Sequence, residues 1–273
     1  MILDIAKRIA RKKSALFFLA LFLYIFVTWW PLPDTFEEAQ GLPHADFYLY
    51  MFVGTLGALN GFRIAFKWGG LKSKLGKGIF FLSAALLSQD IGGFIWLYFN
   101  KVFLNDLPYP GLPDIGYFGV IPLSVIALLN FADLAGTKFS LRTVKGVFTA
   151  VGIALVMIIT SYVLFLKDVQ PDFQDPIRTF LDFGYPLGEA LVFALALIVY
   201  TLTTKTLGGA IRTPMIFMIG TFFILFLSDY TFAYTAGKGT YYDGNWVDML
   251  YATYGCMTSI ALILFEDLEE QKT

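Results

Sequence analysis

The chain has 273 residues, of which 57% are hydrophobic, 18% aromatic and only 15% charged, with a mean hydropathy of +0.67. A soluble domain of this length needs far more charged surface, and no basic face beyond the clusters that flank the apolar runs offers itself to nucleic acid. Apolar runs of about 20 residues, the length a helix needs to cross a hydrocarbon core of roughly 30 Å, recur along the whole sequence. The reading is an all-α, polytopic transmembrane bundle whose first partner is the lipid bilayer.

Residues 1–13 form a basic segment with Lys7, Arg8, Arg11, Lys12 and Lys13. The first apolar run, 14–31, ends in Trp29-Trp30-Pro31 without a small-residue cleavage site, so it reads as a retained helix rather than a signal peptide. Hydropathy windows and their turn-rich breaks predict further spans at 46–67, 77–103, 114–135, 146–167, 177–204, 213–236 and 246–266. That gives eight spans within 14–266 and a short tail, 267–273. The breaks are too short for a soluble domain, so 1–273 is expected to form a single membrane domain.

Basic residues set the sidedness. All but Lys101, Lys167, Arg178 and Lys238 of the 20 lysines and arginines fall on one side of this alternation. By the positive-inside rule both termini are then cytoplasmic, in a plasma (inner) membrane. A count of seven is the alternative and would carry the acidic tail EDLEEQKT outside. The opposite connections, PDTFEEAQGLPHAD, NDLPYPGLPD, KDVQPDFQDP and GKGTYYDGNW, are acidic, aromatic and rich in Pro and Gly. They suit either a rigid cap or ordinary short turns.

Three carboxylic acids interrupt apolar runs: Asp90, Glu189 and Asp229. An aspartate at a helix centre costs roughly 2.5–3.5 kcal/mol on insertion scales, so such groups normally face a partner or a cavity. Residue counting from the helix ends puts Asp90 and Glu189 near mid-membrane and Asp229 closer to the outer surface. With Gln89, Trp96 and Tyr185 beside them, they are the candidate ligand- or proton-binding residues. The competing reading is interhelical glue, with the acids bonded to Ser88, Gln89, Ser228, Thr160, Ser161 or Tyr162. Gly54, Gly57, Gly92 and Gly93 suit close helix packing, and Pro122 and Pro186 suit local kinks.

Absences exclude several chemistries. The single histidine, His44, rules out a bis-histidine haem and a histidine-based metal site, and no lysine lies mid-span to carry a retinal Schiff base. No Ser–His pair or phosphate-cradling glycine loop is present, so neither a soluble-type catalytic site nor a cofactor is called for. The one cysteine, Cys256, allows no intrachain disulfide.

The third and fourth spans echo the seventh and eighth. SQDIGGFIWLY…LPDIGY and LSDYTFAYTAG…WVDMLY each place Ser before a mid-span Asp (Asp90, Asp229), or close to it, and a second Asp (Asp114, Asp248) at the next helix start, followed by Tyr three residues on. The sixth span carries a variant, LDFGYPLGEAL, and the pattern suggests repeated two-helix hairpins. The stretches SQDIGGFIWLY…LPYPGLPDIGYFGVIPL, GYPLGEALVFALAL and SDYTFAYTAGKGTYYDGNWVDMLYATYG resemble the multi-pass membrane module N-terminal to GGDEF, EAL and histidine-kinase output domains in bacteria. The resemblance covers roughly residues 80–265. It implies an integral membrane sensor or ligand-binding module, with a small-molecule ligand and, because no output domain follows, a separate cytoplasmic or membrane signalling partner. A small proton-coupled secondary transporter or flippase and a purely structural membrane scaffold are the alternative functions.

Overall fold

A computed structural model describes residue 7 and residues 9–29, 49–99, 108–134, 143–167, 170–203 and 209–266. The described chain is helical, with no strand among the described residues. The principal helices are α1 (Lys13–Thr28), α2 (Leu49–Lys67), α3 (Lys74–Tyr98), α4 (Pro113–Leu134), α5 (Val144–Ser161), α6 (Pro176–Thr203), α7 (Gly209–Gly237) and α8 (Trp246–Leu264). A π-helical turn, Tyr162–Leu166, extends α5, and a 3₁₀ turn, Gly70–Lys72, joins α2 to α3. The predicted spans overlap these helices with ends displaced by a few residues.

Seven of them, α2 to α8, are long and apolar enough to cross a membrane, so the chain is a multi-pass membrane protein. The first helix is apolar but has 16 residues, a rise of about 24 Å against the roughly 30 Å of a hydrocarbon core. The expected eighth span is therefore shorter than the other seven.

Local chemistry fixes the reversals. Gly69 and Gly70 take positive φ (89° and 54°), a region that side-chain-bearing residues rarely adopt, and let the chain turn tightly after α2. Ser73 then caps α3, its Oγ accepting from Gly76 N at 2.9 Å. Thr143 caps α5 in the same way through Gly146 N at 3.0 Å. Asn245 caps α8 through Val247 N at 2.9 Å, following Gly244 at φ 90°.

The helices close on one another as a ring. α2 packs on α3, α3 on α4, α4 on α6, α6 on α7, α7 on α8, and α8 back on α2. α1 lies outside this ring against α8 and α2, and α5 lies outside against α6. Exposure follows position. In α8 78% of the apolar window is buried, whereas in α5 only 11% is, so α5 presents Val147, Phe148, Leu155 and Ile159 outward as a lipid-facing helix would.

Small residues allow the closest approaches, as their sequence positions suggest. A side chain at Gly92 would strike Tyr117 and the Pro113 carbonyl, and one at Gly78 would strike Phe131. Across the same α3–α4 seam Ser88 Oγ donates to the Gly116 carbonyl at 2.7 Å. α4, α6 and α7 run unbroken through Pro122, Pro186 and Pro214. The Pro186 carbonyl accepts from Ser161 Oγ at 2.9 Å, tying α5 to α6.

The two ends of the ring differ. At the basic end Glu266 pairs with Arg63 (3.1 Å) and Lys67 (2.5 Å), linking the end of α8 to α2, and Lys74 pairs with Asp133 at 2.8 Å across α3 and α4. Trp68 Nε1 donates to the Phe265 carbonyl at 3.2 Å, and Phe131 stacks on Phe265 with ring centroids 5.0 Å apart. The opposite, acidic end carries the starts of α4, α6 and α8.

Candidate functional site

The acidic rim is built twice in the same manner. Asp114, in the first turn of α4, accepts from Gly111 N (2.7 Å) and from the Tyr185 hydroxyl (2.8 Å). Asp248, in the first turn of α8, accepts from Gly244 N (2.8 Å) and from the Tyr241 hydroxyl (3.0 Å). Each glycine stands two residues before its helix. One carboxylate oxygen thus holds the incoming loop while the other holds a tyrosine hydroxyl, from α6 for Asp114 and from the same loop for Asp248. Anions at a helix start are also favoured by the free N–H groups and the helix dipole. Burial and the Asp248 charge push the Tyr241 hydroxyl well above the ordinary tyrosine range, so it remains a donor.

Tyr185 is therefore a rim residue, whose hydroxyl is engaged by Asp114. Its ring packs edge-on against Phe118 at 5.5 Å. Nearby, Tyr109 donates to Asp182 at 2.8 Å and sits under the Arg178 guanidinium.

Deeper in the ring, the three intramembrane acids separate into two sites. Asp90 of α3 is buried and accepts from Thr55 Oγ1 of α2 at 2.8 Å. Gly54 makes this possible. A Cβ there would lie 2.5 Å and 2.7 Å from the two Asp90 carboxyl oxygens.

Glu189 of α6 and Asp229 of α7 form the second site, where their carboxyl groups face each other within hydrogen-bonding reach. Two carboxyl groups so placed repel if both are charged and form a hydrogen bond if they share one proton. The Tyr251 hydroxyl of α8 donates to Asp229 Oδ1. Glu189 is 7% exposed, and its Oε2 receives no hydrogen bond from any protein donor among the described residues. It lines a small cavity otherwise walled by Val120, Ile121, Val192, Phe222 and Leu225.

Tyr254 of α8 is buried one turn beyond Tyr251 on the same helix. Asp90 and the Glu189–Asp229 pair thus engage different neighbours. α3 turns its acid toward α2, whereas α6 and α7 turn theirs toward each other. Counting from the helix ends sets Glu189 and Asp229 at different depths, and the packing of α6 on α7 nonetheless brings their carboxyl groups together.

Gln89 and Trp96 are half-buried on α3, and no hydrogen bond among the described residues joins either to an acid. The hydroxyls proposed as glue go elsewhere: Ser88 to Gly116, Ser161 to Pro186, and Ser228 back to the Ile224 carbonyl. The partners actually used are Thr55 and Tyr251. Tyr251 had a visible signal, the tyrosine three residues after Asp248. Thr55 had only its place next to Gly54. His44, Trp30 and Lys101 lie outside the described residues.

Comparison of the chain with protein-family models, with curated proteins and with solved structures finds no match.

Proposed function

We propose that this chain is a proton-responsive, sensor-like integral membrane module whose working centre is the Glu189–Asp229 pair. All eight helices cross the membrane in this reading, with both termini on the cytoplasmic, basic side of a plasma (inner) membrane. The observation that carries it is the facing of two carboxyl groups between two helices, a pair that would share one proton and that is joined to a third helix by Tyr251. While the proton is held, the contact ties α6, α7 and α8 together. Once it leaves, two adjacent carboxylates repel and that seam of the ring is strained open. A protonation event in the ring would thus become a change in helix packing, which a separate signalling partner could read at the basic end.

The repeated architecture supports this reading. α1–α4 and α5–α8 each supply one outer helix and three ring helices, and each half sets a mid-helix acid of its third helix against the preceding helix (Asp90 on Thr55, Asp229 on Glu189). Both halves run in the same direction, as in bundles whose repeats are related by an axis along the membrane normal. The resemblance to sensory membrane modules rests on the same segments. Alternating access would need polar openings toward both ends, and the residues on the basic side of the pair are buried and mostly apolar, which favours sensing over transport.

The test is thermal stability in detergent or nanodiscs as a function of pH. The parent is expected to lose stability as pH rises through the point where the shared proton leaves. Glu189→Gln supplies a permanent hydrogen-bond donor in its place and is expected to flatten that dependence. A parent whose stability is indifferent to pH wherever the fold survives would sink the proposal.

A further inference from the structure

The proposed proton site has neighbours of different character on its two sides, and this bears on where its proton comes from. Toward the acidic end, hydroxyl–carboxyl contacts follow one another. Tyr251 donates to Asp229, Tyr185 donates to Asp114 at the start of α4, and Tyr241 donates to Asp248 at the start of α8. Tyr185 stands four residues, about one turn, before Glu189 on α6, and Asp248 stands three residues before Tyr251 on α8, so each rim contact lies about one helical turn from the Glu189–Asp229 site. Asp229, Tyr251, Tyr185 and Tyr241 all keep partial accessibility. Hydroxyls and carboxyls spaced about a helical turn apart can be joined into a proton-conducting chain by intervening water.

Toward the basic end the ring is closed by Val192, Ala196, Met218, Phe222 and Leu225, all buried. Two buried hydroxyls on that side, Ser124 Oγ and Thr221 Oγ1, make no hydrogen bond among the described residues. Every element packed on the pair is consistent with this. α8 presents Tyr251 and Tyr254, α6 itself presents Tyr185 from the acidic side, α4 presents Val120 and Ile121, and the end of α5 presents Ser161. No lysine or arginine among the described residues contacts either acid.

We propose that the Glu189–Asp229 pair exchanges its proton with the acidic face alone, through the Tyr185–Asp114 and Tyr241–Asp248 contacts, so that the chain reports the pH of that compartment and is blind to the pH at its basic end. This rests on the pair being a proton site, as set out above. The proton taken up at Asp229 comes from water at the acidic rim and returns there, with no net reaction.

The full chain, reconstituted in vesicles in one orientation verified by protease accessibility of the termini, allows the pH of each compartment to be stepped separately. The readout is the infrared carbonyl band of protonated carboxyl groups, assigned by its loss in Glu189→Gln and Asp229→Asn. A step at the acidic face is expected to change the band, and an equal step at the basic face to leave it unchanged. Tyr185→Phe combined with Tyr241→Phe, which removes both rim hydroxyls, is expected to slow the response by roughly a hundredfold, the scale of losing a positioned proton-transfer group. A response from the basic face overturns this inference and leaves the proton site standing. A band that fails to move even when a protonophore equalises both compartments overturns the proton site itself. The wild-type comparison of the two faces decides the matter even if a variant does not fold.

Discussion

Replacing Gly54 by alanine tests whether Asp90 is held in place against α2. In a helix interior the change alone is favourable by about 0.5–1 kcal/mol, because glycine loses more backbone freedom on folding. Here the added Cβ would stand 2.5 Å and 2.7 Å from the Asp90 carboxyl oxygens and 3.0 Å from its Cγ. Aspartate is short, and swinging it away breaks the 2.8 Å bond from Thr55. Inserting a methyl into a packed site costs about 1–3 kcal/mol, so the net effect is a loss of about 0.5–2 kcal/mol. Gly152 is the internal control, since a Cβ at that exposed α5 position meets nothing within 4 Å. Gly152→Ala is therefore expected to stabilise by up to about 1 kcal/mol. Thermal unfolding in one detergent should order the proteins Gly152→Ala, parent, Gly54→Ala, with about 2–4 °C between them per kcal/mol. In an Asp90→Ala background the Gly54 substitution should change sign and become stabilising, a coupling that a double-mutant cycle reads directly. Equal gains from both glycine substitutions in the parent would refute the placement of Asp90.

Three further outcomes are expected. Tyr251→Phe leaves the half-buried Asp229 without its tyrosine donor and should destabilise by about 1–3 kcal/mol, whereas the same change at the exposed Tyr162 should be near neutral; thermal shifts compare them. Thr55→Val removes the donor to Asp90 at nearly constant volume and should cost a similar amount, unless Asp90→Asn is made first, which should weaken the effect. At the basic end partial burial tends to raise the Glu266 carboxyl, but the Lys67 hydrogen bond and the Arg63 and Lys67 charges outweigh it and hold it below the ordinary glutamate value. Stability from this contact is thus present above the unfolded-state value and is lost as pH falls through the lowered one. Because both cations are largely exposed, Glu266→Gln should cost no more than about 1 kcal/mol, and the loss should shrink with added salt, as melting curves at two ionic strengths would reveal.

Taken alone, the sequence determined what depends on composition and local chemistry. Runs of apolar residues against a membrane set the helices, glycine and Ser, Thr or Asn at the breaks set where most of them start and stop, and the pattern of lysines and arginines gave the two ends of the bundle opposite chemistry. It also singled out Asp90, Glu189 and Asp229, because a carboxyl group in an apolar run is costly wherever the helix goes. What it could not determine was the direction each helix faces. A rotation of one residue about a helix axis turns a side chain by about 100°, and no local signal distinguishes a ring-facing acid from one facing its neighbour in sequence. The pairing of Glu189 with Asp229, the claim of Thr55 on Asp90 and the use of Tyr185 at the rim were decided by which helices close the ring. That choice depends on contacts between residues far apart in the chain, such as Ser161 with Pro186, Glu266 with Arg63 and Gly54 with Asp90, where shape and small side chains set how nearly two helices approach.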